Sequence, residues 1–273
     1  ARQPMADPGT RSIWLIADDY GFSPGVSETI RTLLEAGRLS GTGCMTLFDD
    51  WRDHARALAA TDGRFVIGMH LTLTDFPALS TGRTMPDLKR LLTDHDVETI
   101  GMEANAQLAR FRESFGRDPD FIDGHQHVHF LPPVRQWLAG RFADLPPEKR
   151  PWLRGAPTLR AAPALVKAKV IVARLLARGF DAEMRRHGFV VEGPLCGFYD
   201  WRRPGAFARA LDLFIDRAPD GSVVMCHPGT VDDVLRRRDV FTDARNEERD
   251  ALASEDFPQR LESASLRLKR AAS

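Results

Sequence analysis

The segment Ile13-Trp14-Leu15-Ile16-Ala17-Asp18-Asp19-Tyr20-Gly21-Phe22-Ser23-Pro24-Gly25 decides the fold. Its apolar run, Ile13 to Ala17, is too short for a helix and stops at two aspartates, so it reads as a buried strand ending in a loop. Ser23, Pro24 and Gly25 then cap a helix over residues 26–36, with Gly37 as its stop. A buried strand feeding a helix is the repeating unit of a parallel α/β fold.

The same alternation recurs outward from this segment. Strands are expected near residues 42–47, 65–71, 120–124, 151–154, 189–191 and 222–225, and helices near 51–60, 97–115, 133–142 and 204–217. In the helix over 97–115, Ile100, Ala104, Leu108, Phe111 and Phe115 follow helical spacing and Gly116 ends it. The pattern predicts a largely parallel sheet with helical crossovers, as a barrel or an open sheet. An α/β barrel of about 250 residues would use nearly all of the chain, so one domain over 12–273 is expected behind a flexible N-terminus, 1–11. Residues 77–96, polar and turn-rich, read as an active-site rim loop.

Composition narrows the function. Lys+Arg and Asp+Glu number 38 each among 273 residues, a balance that excludes a nucleic-acid scavenger. Hydrophobic residues at 43% and charged residues at 28% place the chain with ordinary globular proteins, outside the disordered range. Cys44, Cys196 and Cys226 are too scattered for a disulfide framework or a C-x-x-C knuckle and fit a reducing cytoplasm. No run approaches the ~20 apolar residues of a spanning helix. The polar start lacks a signal-peptide core, so a cytoplasmic protein without a stable membrane anchor is expected. A homodimer would be the commonest assembly.

Residues 160–187 are the one biased segment, with seven Lys/Arg against Asp181 and Glu183. Val166, Val170, Ile171, Leu175 and Leu176 make it amphipathic, a basic helical insertion whose charged face meets water. The alternative is a cap over the substrate or a contact with an anionic membrane surface.

The residues that carry chemistry cluster at strand ends. Asp18-Asp19 follows the first strand, where parallel α/β folds place functional loops, although aspartates also populate ordinary turns. His70 closes the strand near 65–71. Asp123-Gly124-His125-Gln126-His127-Val128-His129 spaces three imidazoles two apart, and in an extended conformation these would share one face, as metal ligands or their polar neighbours. His227-Pro228-Gly229 ends the strand near 222–225. Acidic and imidazole groups closing four strands converge on one pocket. There a divalent metal could activate water, one carboxylate could take a proton and a histidine could return one, which is hydrolytic chemistry. The absence of G-x-G-x-x-G, Walker A and G-x-S-x-G patterns disfavours dinucleotide, P-loop and serine-hydrolase chemistry.

Residues 16–26, Gly68-Met69-His70-Leu71, Asp123 to His129 and Met225-Cys226-His227-Pro228-Gly229 resemble, in order, the motifs of the YdjC-like (ChbG/HpnK) carbohydrate deacetylases. The resemblance, over residues 12–250, implies an incomplete or distorted TIM-like (β/α) barrel and removal of acetyl from N-acetylated amino sugars. It also implies one divalent metal on Asp19, His70 and His125; such mixed carboxylate and imidazole ligands suit Mg or Zn first, with Ni or Co as further options. Asp18 matches the general base, His227 the general acid, and Arg154 an arginine near the base. His127 and His129 match no ligand and stand as polar neighbours of the metal site or as substrate-facing candidates, with Tyr20 as a further substrate-facing candidate. Gly124, Gln126 and Tyr20 depart from the family's common Ser, His and Phe. The family's substrates include chitooligosaccharides and hopanoid-type lipid-linked amino sugars. A metal phosphoesterase and a non-catalytic sugar-binding protein are the rival readings.

Overall fold

The computed structural model describes residues 9–94, 96–240 and 242–271. Its strands are β1 (Arg11–Tyr20), β2 (Gly41–Cys44), β3 (Val66–Leu71), β4 (Phe121–Gly124), β5 (Trp152–Arg154), β6 (Val191–Glu192), β7 (Leu195–Cys196), β8 (Val223–Cys226) and β9 (Leu266–Leu268). They lie in the order β6-β5-β4-β3-β2-β1-β8-β7, all pairings parallel, and β9 pairs with the start of β1. The edge strands β6 and β7 are separated in sequence only by Gly193 and Pro194. The sheet therefore curls until the chain itself links its two edges, giving an incomplete α/β barrel.

Parallel strands need cover on both faces. Outside, helices Pro24–Glu35, Trp51–Ala59, Val97–Phe115, Pro132–Arg141 and Ala206–Arg217 lay their apolar stripes on the sheet. Inside, the two-residue period of a strand sorts side chains into layers. Trp14, Ile16, Val66, Phe121 and Val223 fill the interior at the amino ends of the strands, with Trp152 packed against them. The Trp14 and Trp152 rings stack at 5.4 Å, and those of Phe121 and Trp152 at 4.5 Å. Gly68 makes room for this plug, because a Cβ there would lie 2.4 Å from the Phe121 ring. Further along the same inward faces come Asp18, His70, Asp123, Arg154 and His227, so an apolar floor carries a polar layer at the carboxyl ends.

Most expected elements form within a residue or two of their expected limits. The strand near 189–191 forms instead at Val191–Glu192, and residues 160–187 make two helices, Lys167–Leu176 and Phe180–Arg186. Helix Leu88–Thr93 lies inside the rim stretch, and residue 95 of that stretch lies outside the described residues. Helices Asp233–Arg238, Asp243–Ala253 and Asp256–Ser263 and strands β7 and β9 were not expected. Arg11 is already part of β1, its guanidinium donating to the carbonyls of Ala218 (2.7 Å) and Ile215 (2.6 Å). Residues 1–8 of the expected flexible segment lie outside the described residues. Among the described residues no helix is long and apolar enough to cross a membrane.

Candidate active site

Register brings the polar layer together. Trp14 pairs with Val223 and Ile16 with Met225, so the next inward positions, Asp18 and His227, are neighbours. His70 pairs with Asp123, while Phe121 pairs with Trp152, which sets Asp123 beside Arg154. Asp19 breaks the alternation of β1 with φ 68°. This is left-handed backbone that aspartate tolerates better than most residues, and both carboxylates line one cavity of about 540 Å³.

Two linked sets of contacts fill the site. Arg154 donates to both oxygens of Asp18, at 2.8 Å to Oδ2 and 2.5 Å to Oδ1, and its Nη2 lies 2.5 Å from Asp123 Oδ2. Asp123 Oδ1 meets His70 Nδ1 at 2.6 Å, which turns His70 Nε2 toward Asp19. Asp19 Oδ1 lies 3.5 Å from that nitrogen and 3.3 Å from His125 Nδ1, and its Oδ2 accepts from Arg245 Nη2 at 2.7 Å. Gly43 on β2 keeps space beside the His70–Asp123 pair, since a Cβ there would approach the His70 Cβ to 3.2 Å. His227 Nε2 is 3.7 Å from Asp18 Oδ2. Its backbone N–H donates to Glu248 Oε2 at 2.5 Å, and Glu248 Oε1 accepts from the Tyr199 hydroxyl at 2.5 Å. Trp201 packs edge-on against the His227 ring at 4.6 Å.

Burial sets the electrostatics and the guanidiniums divide them. Desolvation raises the Asp18 carboxyl above its ordinary range, against the pull of Arg154. Burial would raise Asp19 too, but Arg245 and His125 hold it well below that range. Asp123 is drawn down to about 2, where Arg154 and His70 outweigh desolvation. His70 is lifted to about 9, because Asp123 and Asp18 outweigh the burial that favours its neutral form. Burial, reinforced by nearby positive charge, holds His127 neutral, and it keeps His227 neutral against the opposing pull of Asp19. Desolvation lifts Glu248 to about 7.

Asp19, His70 and His125 offer one ligand atom each within 4.8 Å of one another. Asp19 Oδ1 is buried without a hydrogen-bond partner, as expected of an oxygen reserved for a cation. The Asp123 contact orients His70 in the way carboxylates orient metal-bound imidazoles. The donor set therefore fits a divalent metal held by one carboxylate and two imidazoles. Asp123→Asn is expected to weaken metal affinity by about 10–100-fold, read by titration of metal-stripped protein.

The structure brings Asp18, Asp19, His70, His125, Arg154 and His227 together. His127 also lines the cavity, 5.3 Å from the Phe198 ring, with Nδ1 unpartnered. His129 is fully buried, bonded through Nε2 to the Arg154 carbonyl at 3.2 Å and pushed by burial down to about 3, so it supports β5 rather than facing the cavity. Tyr20 is turned into the core, its hydroxyl donating to the His54 carbonyl at 2.7 Å. Residues 125–129 are not extended: Gln126 and His127 take φ 52° and 63° within a 3-10 segment, which separates the imidazoles. Arg245 and Glu248, from helix Asp243–Ala253, and the structural role of Asp123 were not expected.

Fold and site together define an incomplete α/β barrel with a carboxylate–imidazole centre of the metal-binding kind at the carboxyl ends of its strands. The chain belongs to the YdjC-like family, whose model, described as YdjC-like protein, matches residues 12–263. A chitooligosaccharide deacetylase of Citrobacter koseri is 27% identical over 234 residues, covering 81% of this chain and 82% of that protein. One from Yersinia pestis is 26% identical over 237 residues, covering 80% and 82%. Among solved structures, an Enterococcus faecalis protein provisionally described as acting in cellobiose-phosphate cleavage superposes with TM-score 0.68 at 20% identity, covering 96% of this chain and 97% of that one. A peptidoglycan N-acetylglucosamine deacetylase superposes with TM-score 0.50 at 12% identity over 97% and 87%, a likeness of fold.

Proposed function

We propose that the protein is a metal-dependent N-deacetylase that releases acetate from an acetylated amino sugar, with chitooligosaccharides as the first substrate class to test. The observation that carries this reading is the placement of Asp18 and His227, 3.7 Å apart, beside the Asp19–His70–His125 cluster. Curated relatives named chitooligosaccharide deacetylase support it. A cavity of about 540 Å³ falls within the range of small-molecule sites, roughly 300–1,000 Å³.

A divalent cation on Asp19, His70 and His125, Mg or Zn first and Ni or Co as further options, would lower the pKa of a water and polarise the acetyl carbonyl. Asp18, made more basic by burial, takes the proton of the attacking water. Arg154 grips both Asp18 oxygens and fixes the direction of that transfer. His227, neutral in the resting site and 3.7 Å from Asp18, takes up the proton that Asp18 gained from water and passes it to the departing amine, so that both groups return to their starting states. Glu248 anchors the His227 backbone and Trp201 restricts its ring. His127, neutral and on the cavity wall, is placed to meet a sugar hydroxyl. Residues 12–273 form one catalytic unit in this reading, and the buried free thiols of Cys44, Cys196 and Cys226 suit the cytoplasm.

The test is acetate release from N-acetylglucosamine, chitobiose and longer chitooligosaccharides. Chelation is expected to abolish release and added divalent metal to restore it. Metal-replete protein silent on every acetylated sugar would overturn the assignment. The phosphoesterase rival needs a second metal, and the adjacent Asp18–His70–Asp123 group is already bridged by the Arg154 guanidinium. That contact favours a single-metal site.

A further inference from the structure

Helix Lys167–Leu176 presents two apolar faces. At about 100° per residue, Val170 and Ala173 point inward and pack with Val166 against Leu195, Phe198 and Met225. On the opposite side Ile171, Val172 and Leu175 are 46%, 66% and 66% exposed, and Leu165, just ahead of the helix, is 67% exposed. Lys167 and Arg174 flank this outer stripe on one side and Lys169 on the other. The two acidic residues of the segment are committed within the chain: Asp181 accepts from the Ala156 N–H at 2.9 Å and Glu183 pairs with Arg135 at 3.0 Å. The outer surface is therefore aliphatic and positively charged, and Leu165 and Lys169 continue it to the cavity mouth.

We propose that this face docks the protein on an anionic lipid bilayer, with the outer stripe among the headgroups and the mouth of the cavity beside the membrane. Aliphatic side chains on a convex helix, flanked by Lys and Arg, are the chemistry of an interfacial helix. A protein interface centres instead on aromatic anchors, and this stripe has none. Self-association across a two-fold axis would set Lys167 and Arg174 against like charges.

The test is cosedimentation of the full chain with phosphatidylcholine vesicles, with and without about one-third phosphatidylglycerol. Binding is expected only to the anionic vesicles and is expected to weaken with salt. At roughly 1 kcal/mol per basic residue near such a surface, Lys167→Gln/Arg174→Gln should lower the partition coefficient about 30-fold. Val172→Glu/Leu175→Glu should remove binding while leaving the circular dichroism spectrum unchanged, because both side chains are exposed. No binding to anionic vesicles, equal binding to neutral ones, or unaltered binding by either variant would overturn the proposal. So would a concentration-dependent dimer that Val172→Glu/Leu175→Glu dissolves in protein that ignores vesicles. None of these outcomes depends on turnover, so this test stands apart from the deacetylase assay.

Discussion

Asp18→Asn is expected to lower kcat for acetate release by about 10²–10⁴-fold, the range supplied by a positioned general base. KM is expected to stay near its original value. Asp18 lies outside the Asp19–His70–His125 cluster, so bound metal should remain at one equivalent while turnover falls. That split is the informative result. An asparagine amide has no lone pair basic enough to take the proton, yet its shape and burial match the carboxylate. Loss of metal together with loss of activity would mean that Asp18 acts on the cluster. A metal-replete variant with unchanged kcat would remove Asp18 from the role of base.

Arg154→Leu is expected to be the most destabilising single change in the site. Arg154 is fully buried and holds Asp18 and Asp123, themselves 2% and 0% exposed. Removing the cation leaves two carboxylates in a water-poor interior, and breaking a buried pair in this way costs about 3–5 kcal/mol. For a chain of this size that corresponds to a fall in Tm of about 5–10 °C at neutral pH. The pH dependence follows from the sign of the resulting shift. Without Arg154 the Asp18 carboxyl, already raised by burial, rises further and Asp123 loses the main pull that holds it down, so the penalty grows as pH climbs past the unfolded value. The deficit relative to the unsubstituted protein should therefore shrink as pH falls toward the ordinary aspartate value of 3.8. Thermal melts of both proteins across that range measure it, and a deficit independent of pH would point to lost packing instead.

The residues that end strands were legible because the run before each is apolar and short. Asp18, Asp19, His70 and His227 sit where a parallel sheet places its functional ends; strand periodicity sets Asp18, His70 and His227 on one layer, and Asp19 joins them through its left-handed backbone. The contribution of helix Asp243–Ala253 was hidden for a physical reason. Its inward positions, Ala244, Arg245, Glu248 and Leu252, include two charged residues that are buried because Asp19, Tyr199 and the His227 backbone satisfy them. Read as a pattern, such a helix is polar all round and resembles surface. The 125–129 segment failed differently. Spacing by two implies one face only for extended backbone, and nothing local announces left-handed conformations at Gln126 and His127, neither of which is glycine. Tyr20 was misplaced because position in a motif says nothing about rotamer, and its phenol found a carbonyl in the core.

The pairing of β1 sets when the site can exist during synthesis. Residues 14–17 pair with 223–226, and residues 11–13 with 266–268. The strand that bears both aspartates thus emerges from the ribosome early but gains its last neighbours more than two hundred residues later. Such long-range closure slows folding and leaves one side of β1 an open edge on the nascent chain. Until β8 and β9 arrive, Asp18 has no His227 beside it and Asp19 no Arg245. Nascent chains ending before residue 223 should therefore be open to pairing with other unfinished chains, and the site forms only as the two ends of the sequence meet.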